Sequence, residues 1–458
     1  FFRLSPSDYE GLHARYRALL TCDHGEGCSC GCTHIEMGRK DVPEADREKL
    51  KKKFKGMMRA LYRQEGAMLD VEVLRENEVL DFIDAHAAVL DSTFDKVKMS
   101  DGMRLSLQKS DWIFSGMKTF HELHEAFPSL LDEHGERKPF ERFYSDVRKV
   151  DETYNRNYLR AEYNFATASA EMAAKWEQYE RDGDRYYLQY RTVGDSHVRE
   201  EHAALNGTTL PVSHPFWDTH YPPNGWNCRC LAVQVRKSSH EQTSEEELSK
   251  RTKALAEQQA KSKGKSEMFR FNPGKQRKVF PDYNPYTIKR CNDCDLARGK
   301  YSLSFMPSNE ACAGCQLLRE CFKDKEKSLE AKLRKHYLYK MKRLLNQKHL
   351  LDAGGRTIQV EFIPYGNKHL YSDAVSRSRV LQRDDLEYLD TLLKNAKYKG
   401  EGEITHPRKD SIEYFYYFQA ELHNKMVRLN IGQRIRAKDN GKMEKEIFLY
   451  SINDVIRK

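Results

Sequence analysis

The chain has 458 residues, of which 39% are hydrophobic and 32% charged, with a formal net charge of +9. A single core seldom grows past roughly 250 residues, so this length excludes one compact domain and predicts two to four. A mean hydropathy of −0.82, the lack of any run of about 18 uncharged apolar residues and an opening FFRLSPSDYE without the basic-then-apolar layout of a leader predict neither membrane span nor secretory signal.

From Asp41 to about Ala88, Phe54, Met58, Leu61, Val73 and Leu74 recur at intervals of three and four among charges, which predicts a long amphipathic helix. Tyr144 to Glu180 reads the same way, and Lys118 to Phe140 reads as helix, turn and helix. The character changes at Tyr190. The stretch YRTVGDSHVREEHAALNGTTLPVSHPFWDTHYPPNGWNCRC is loop-rich and dense in His, Pro, Trp and Cys, a composition that needs a tertiary frame to hold it. The polar RKSSHEQTSEEELSKRTKALAEQQAKSKGKS that follows predicts a solvated helix or linker.

Beyond FNPGKQRKVFPDYNPY lies a cysteine-rich module and then a basic segment. Between Cys321 and Leu350 there are ten Lys/Arg against three Asp/Glu, which suits contact with nucleic acid or an acidic partner. Leu329, Leu333, Tyr337, Met341 and Leu344 at helical spacing equally suit a solvated amphipathic helix. The last hundred residues switch to period two: TIQVEFIP, IEYFYYFQA, HNKMVRLNI and EIFLYSI carry the β-branched and aromatic residues of strands, and RDDLEYLDTLLKNA reads as the accompanying helix.

Eleven cysteines, odd in number and clustered, predict a reducing compartment and thiolate sites rather than a disulfide framework. Cys291, Cys294, Cys312 and Cys315 form C-x2-C-x17-C-x2-C. Two tight turns would each present two thiolates to one tetrahedral zinc, and four protein ligands would make the site structural. The alternative is a set of scattered reduced cysteines. Cys22, His24, Cys28, Cys30, Cys32 and His34 crowd a Gly-rich loop whose spacing is not that of a zinc finger, so metal site and surface loop both stay open.

For PPNGWNCRC, candidate ligands are Cys228, Cys230, His202, His214 and His220. A metal site, a nucleophilic Cys/His pair and plain packing by Phe216, Trp217 and Trp226 are the alternatives, and a bend at Arg229 is expected before both sulphurs reach one ion. Geometry separates them: His202 close to both thiols favours metal, and Trp226 filling that space favours packing.

These residues also carry a resemblance. YRTVGDSHVREEHAALNG, HP, PPNGWNCRC and FNPGK, with Asp195, Arg199, His202, Gly207, Pro222, Pro223, Trp226, Cys228, Arg229 and Cys230 in order, resemble the signature of the phage Mu F-type head morphogenesis family of minor capsid proteins. The resemblance spans roughly the first 280 residues. It implies a low-copy virion protein in the head interior or at the portal vertex, present in the host cytoplasm during assembly. Its implied partners are portal and capsid proteins, with a role in handling phage DNA, and it implies no enzyme active site at NCRC. Neither cysteine-rich insertion belongs to the family pattern.

The C-terminal stretch is similar to phage-borne nuclease-like domains of the barnase, EndoU, colicin and RelE superfamily. That likeness implies metal-independent RNA cleavage by attack of the ribose 2′-OH, which needs a base, an acid and a cation. The candidates are His369 first, then His406, Lys409, Arg434 and Tyr450. The alternative is an inactive binding domain.

The expected fold is multidomain α+β. Residues 1–280 form a mostly α-helical head-morphogenesis region, 281–322 a small zinc-ribbon-like module with four cysteines, 323–351 a basic helix linker, and 352–458 an α+β domain with an antiparallel sheet. The leading function is a minor capsid protein of a phage or prophage that carries an RNase-like domain. The alternatives are a virion-delivered RNase toxin or a DNA-binding protein near the portal.

Overall fold

The computed structural model describes residues 41–66, 68–261, 268–287, 308–345, 347–378, 380–403, 411–423, 425–437 and 443–455. The Cys22 to His34 loop, Cys291, Cys294, His406 and Lys409 lie outside them. The fold is mixed α+β, as expected, and divides into two compact units. Among the described residues, one lies within 41–99 and 106–325 and the other within 100–105 and 326–455. Among the described residues no helix is long and apolar enough to cross a membrane.

The first unit is a helical assembly with a small sheet. Helix α1 (Glu44–Arg63) buries Leu50, Phe54, Met57, Met58 and Leu61, the stripe that three-and-four spacing dictates. The continuous helix expected from Asp41 to Ala88 is broken. Gln64 turns to extended backbone, Gly66 takes φ +107°, and the Asp70 side chain accepts from Glu72 N to start the 3-10 turn Val71–Arg75. Helix α2 (Asn77–Asp91) follows.

Helix α3 (Asp101–Ala126) is buried on all sides from residue 111 to 123, so its polar residues must find partners inside the protein. Lys118, fully buried, donates to Glu162 Oε2 at 2.6 Å and Tyr154 O at 2.9 Å, and its Nζ lies 3.0 Å from His86 Nε2. Tyr286 donates to the other Glu162 oxygen at 2.7 Å. Helix α4 (Phe140–Asp151) passes through a π-helical turn, Glu152–Tyr158, into α5 (Leu159–Asp182).

Next comes an antiparallel sheet, ordered β2-β1-β3, of β1 (Tyr187–Arg191), β2 (Thr209–Pro211) and β3 (Leu231–Val235). The polar segment after it is helix α6 (Glu245–Lys261), one of the two forms expected. FNPGK closes onto α5. The Asn272 carboxamide caps the turn Pro273–Gln276 by accepting from Gly274 N and Lys275 N, both at 2.9 Å, and donates to Trp217 O at 2.9 Å.

Helix α7 (Ser308–Lys340) continues into the 3-10 turn Met341–Leu344. Tyr337, Met341 and Leu344 are buried, while Lys332, Arg334, Lys335, Lys342 and Arg343 are exposed. That is the amphipathic alternative for the basic segment, with a solvated cationic face.

In the second unit a six-stranded sheet, ordered β4-β5-β9-β8-β7-β6, contains β4 (Lys348–Asp352), β5 (Thr357–Glu361), β6 (Lys397–Glu403), β7 (Ile412–Leu422), β8 (Lys425–Ala437) and β9 (Met443–Asp454). Helices α8 (Pro364–Ser372) and α9 (Leu389–Lys394) accompany it. Strand β4 begins inside the stretch read as basic linker. Gly354 and Gly355, at φ +70° and +86°, close its hairpin with β5, a turn that needs left-handed backbone twice.

The sheet is antiparallel with one correction: β5 pairs with β9 in parallel at Glu361 and Phe448. The aromatic run of β7 splits as alternation requires. Tyr416 and Phe418 enter the large core, whereas Phe415, with Tyr417 against it, joins a small cluster with Ile412, Phe448 and Tyr450.

Candidate functional site

The quoted loop block is cross-braced by hydrogen bonds among its own residues. Strand β1 and the return segment exchange bonds, Tyr190 N to Thr208 O and Gly207 N to Tyr190 O, each 2.8 Å. Gly207 turns the chain at φ +79°, backbone that favours glycine. The segment between them carries Asp195, Arg199 and the one-turn helix Glu200–Ala203.

Asp195 accepts Arg229 Nη1 and Nη2 at 2.6 and 2.7 Å and the His197 N–H at 3.0 Å. Burial works against its charge, but the Arg229 hydrogen bonds and guanidinium overcome it and hold the carboxyl below its ordinary range. Arg199 donates to Trp226 O at 2.8 Å and lies against Gly225, where an added Cβ would meet its Nη1 at 3.1 Å. The turn through Asn227, at φ +56°, then delivers Cys228, whose N–H bonds Gly225 O at 3.0 Å.

Both thiols converge on one imidazole nitrogen. His202 Nδ1 lies 3.7 Å from Cys228 Sγ and 3.6 Å from Cys230 Sγ, and the three ligand atoms all fall within 4.8 Å of one another. His202 and Cys230 are 3% exposed and Cys228 6%. The bend expected at Arg229 is not required. Residues two apart on extended chain project to the same side, and Arg229 between them reaches Asp195.

Trp226 packs on Phe165 and Phe269, with ring centroids 5.1 and 5.3 Å away, so it does not fill the space between His202 and the sulphurs. The other two histidines point elsewhere. His214 pairs with Glu245 at 3.1 Å, and His220 stacks on Phe216 at 4.6 Å.

The two thiols are electrically unlike. The hydrogen bond from Cys230 foremost, and His202 after it, hold Cys228 well below its ordinary range against burial. Giving that bond, together with burial, pushes Cys230 well up. The Tyr190 hydroxyl donates to Asn224 Oδ1 at 2.9 Å and borders the Cys230 sulphur. Tyr190 and Asn224 are the residues that sequence reasoning missed here. Both lie inside the quoted block, but nothing in their spacing marks them.

Cys312 and Cys315 sit in the first turns of α7, three residues apart on one helix, with Cys315 buried. The tight turn expected for this pair is therefore replaced by helix. Cys321 is half-buried further along, and burial raises its thiol.

In the second unit, three of the five nuclease candidates lie together. The His369 ring stands 4.6 Å from that of Tyr450 and 4.7 Å from that of Tyr365. Arg434 covers Tyr365 at 4.9 Å and Phe448 at 5.2 Å and pairs with Glu446 at 2.8 Å. Tyr365 joins His369 to Arg434, and neither it nor Glu446 was among the sequence candidates.

Comparison with known proteins singles out the first unit. Residues 135–233 match the family described as "Phage Mu protein F like protein", a span that holds Asp195, Arg199, His202, Gly207, Trp226, Cys228, Arg229 and Cys230. The chain is 46% identical over 69 residues to "Putative capsid assembly protein F" of Escherichia phage Mu, covering 15% of this chain and 16% of that protein. It is 41% identical over 63 residues to the Mu-like prophage FluMu F protein of Haemophilus influenzae, covering 14% and 15%. The chain thus aligns with about a sixth of the length of these relatives. No solved structure matches it.

Proposed function

We propose that this chain is a head-assembly protein of a phage or prophage, built into the virion at low copy near the portal, with portal and capsid proteins as partners. The match over residues 135–233 carries this reading, because it covers the cross-braced block from Asp195 to Cys230. That block supports a structural part: its carboxylate pairs with Arg229, Arg199 holds the Trp226 carbonyl, and its thiols meet a buried imidazole. The test is a stop codon early in the gene of the encoding phage. Expected are loss of filled heads by electron microscopy, rescue by the gene in trans, and the chain's peptides in purified virions. Normal heads that lack those peptides would refute it.

A second reading concerns the other unit, and the meeting of His369, Tyr365, Tyr450 and Arg434 favours it. An imidazole beside a phenol and a guanidinium on one sheet face is a set that could move a proton and stabilise a phosphorane during RNA cleavage. The full chain is incubated with RNA alongside His369→Ala. Cleavage by the wild type that falls at least a hundredfold in the variant is expected, and an inert wild type ends the reading. The exposed lysines and arginines of α7 support a contact with phage DNA, and the four cysteines Cys291, Cys294, Cys312 and Cys315 a structural zinc, on sequence spacing.

A further inference from the structure

We propose that His202 Nδ1, Cys228 Sγ and Cys230 Sγ bind a zinc(II) ion that clamps the one-turn helix Glu200–Ala203 to the segment entering β3. The distances carry this. With Zn–S near 2.3 Å and Zn–N near 2.05 Å, a tetrahedral angle at the metal separates nitrogen from sulphur by about 3.6 Å. The two separations here are 3.6 and 3.7 Å.

A hydrogen bond from Cys230 to Cys228, with His202 on Cys228, gives each thiol a partner, but it does not require the second sulphur to approach Nδ1 as well. An imidazole nitrogen offers one in-plane lone pair or one N–H, so it serves one thiol, not two. Here both sulphurs converge on Nδ1, deep in the unit, at 3 to 6% exposure. A divalent ion has use for all three atoms at once. Soft thiolate ligands with an imidazole select zinc among the common divalent metals.

The surroundings suit the charge. With the ion bound, both sulphurs are thiolates on one dication, a neutral centre in a buried place. Tyr190 borders the Cys230 sulphur, and its hydroxyl, donating to Asn224 Oδ1, fixes that wall of the site. Asp195 with Arg229, and Arg199 with Trp226 O, fix the segments on which the ligands ride. Among the described residues the cluster supplies three ligands, one short of a tetrahedral shell. The depth of the site points to a clamp rather than a catalytic ion.

The test reads metal by difference, because other cysteines of this chain are candidate zinc ligands too. The full chain is purified without chelators, and zinc per chain is measured by mass spectrometry in wild type, His202→Gln and His202→Cys. Expected is one equivalent fewer in His202→Gln than in wild type, and recovery of that equivalent in His202→Cys. Equal zinc in wild type and a folded His202→Gln overturns the proposal. Should His202→Gln fail to fold, the cobalt(II)-loaded wild type and His202→Cys still decide. A third thiolate at the ion strengthens the sulphur-to-cobalt charge-transfer band, and an unchanged band overturns the proposal.

Discussion

Arg229 grips Asp195 with both terminal nitrogens of its guanidinium, at 2.6 and 2.7 Å, across 34 residues of sequence. The pair lies between the two cysteines on one side and the start of the loop block on the other, so it sets where Cys228 and Cys230 emerge. Asp195→Asn keeps the shape but removes the charge. A partly buried, charge-assisted pair of this kind contributes about 2 kcal/mol, and a loss of that size is expected in the denaturant midpoint. The Asp195 carboxyl is held below its ordinary value, so its contribution is full above the unfolded-state value and fades as pH falls toward the folded one. The difference between wild type and Asp195→Asn should therefore shrink below about pH 4.

The buried ammonium of Lys118 makes a second prediction. Its partner Glu162 is fully buried as well. Burial alone would raise that carboxyl, but Lys118 foremost, then His86, bring it down to about 2. Lys118→Met removes the cation and leaves the carboxylate uncompensated, which typically costs about 3 to 5 kcal/mol. Adding Glu162→Gln should recover part of that loss, since a neutral amide can still accept from Tyr286. A double-mutant cycle in urea measures the coupling, and simple additivity of the two losses would contradict the pairing.

His220 gives a test in pH. Burial first, and Arg270 second, push its imidazole from 6.5 down to about 4. Between these values the unfolded chain takes up a proton that the folded chain refuses, so this residue's contribution is present above about 6.5 and is lost as pH falls toward 4. His220→Phe keeps a ring against Phe216 and removes the titration. Its stability relative to wild type should improve by about 2 kcal/mol between pH 7.5 and 5. Comparing the two proteins at each pH cancels the other buried groups. A gap that stays constant would mean the imidazole titrates normally.

What the sequence made legible followed local periodicity. Phe54, Met58 and Leu61 announced α1, and the alternation of IEYFYYFQA announced β7 with its two faces. The break after Arg63 was hidden because Gly66 and Asp70 are weak signals inside a charged run that keeps helical spacing. Strand β4, KHLLD, was masked by the lysines around it, and β6, KYKGEGE, by two glycines and four charges. The parallel step between β5 and β9 joins residues 87 apart in the chain at Glu361 and Phe448, and no local pattern encodes such a pairing. At the site, the ligand types in HAALNG and NCRC were legible as candidates, but the convergence of two sulphurs on His202 Nδ1 depends on turns at Gly207 and Asn227 that only the folded chain displays. Lys118 was invisible for the same reason, since its carboxylate partner lies 44 residues away.

The FNPGK motif yields a last prediction, in which a glycine is required by a neighbour rather than by its own torsion. A Cβ built on Gly274 would fall 2.1 Å from the Trp176 Cβ and 2.4 Å from its Cγ, inside any contact distance. Trp176 is 2% exposed on α5 and meets the Tyr221 ring at 4.9 Å, so it has no room to retreat. Gly274→Ala must therefore push the Asn272-capped turn away from α5, breaking the bond from Asn272 to Trp217 O or the packing of the indole. Overpacking of this kind costs typically about 1 to 3 kcal/mol, and the upper end is expected here because the obstruction is the root of a large ring rather than a flexible tip. The expected readout is a lower midpoint together with a changed Trp176 fluorescence. Pairing Gly274→Ala with Trp176→Gly, which removes the Cβ and Cγ in the way, should bring the two losses below their sum, and strict additivity would locate the clash elsewhere.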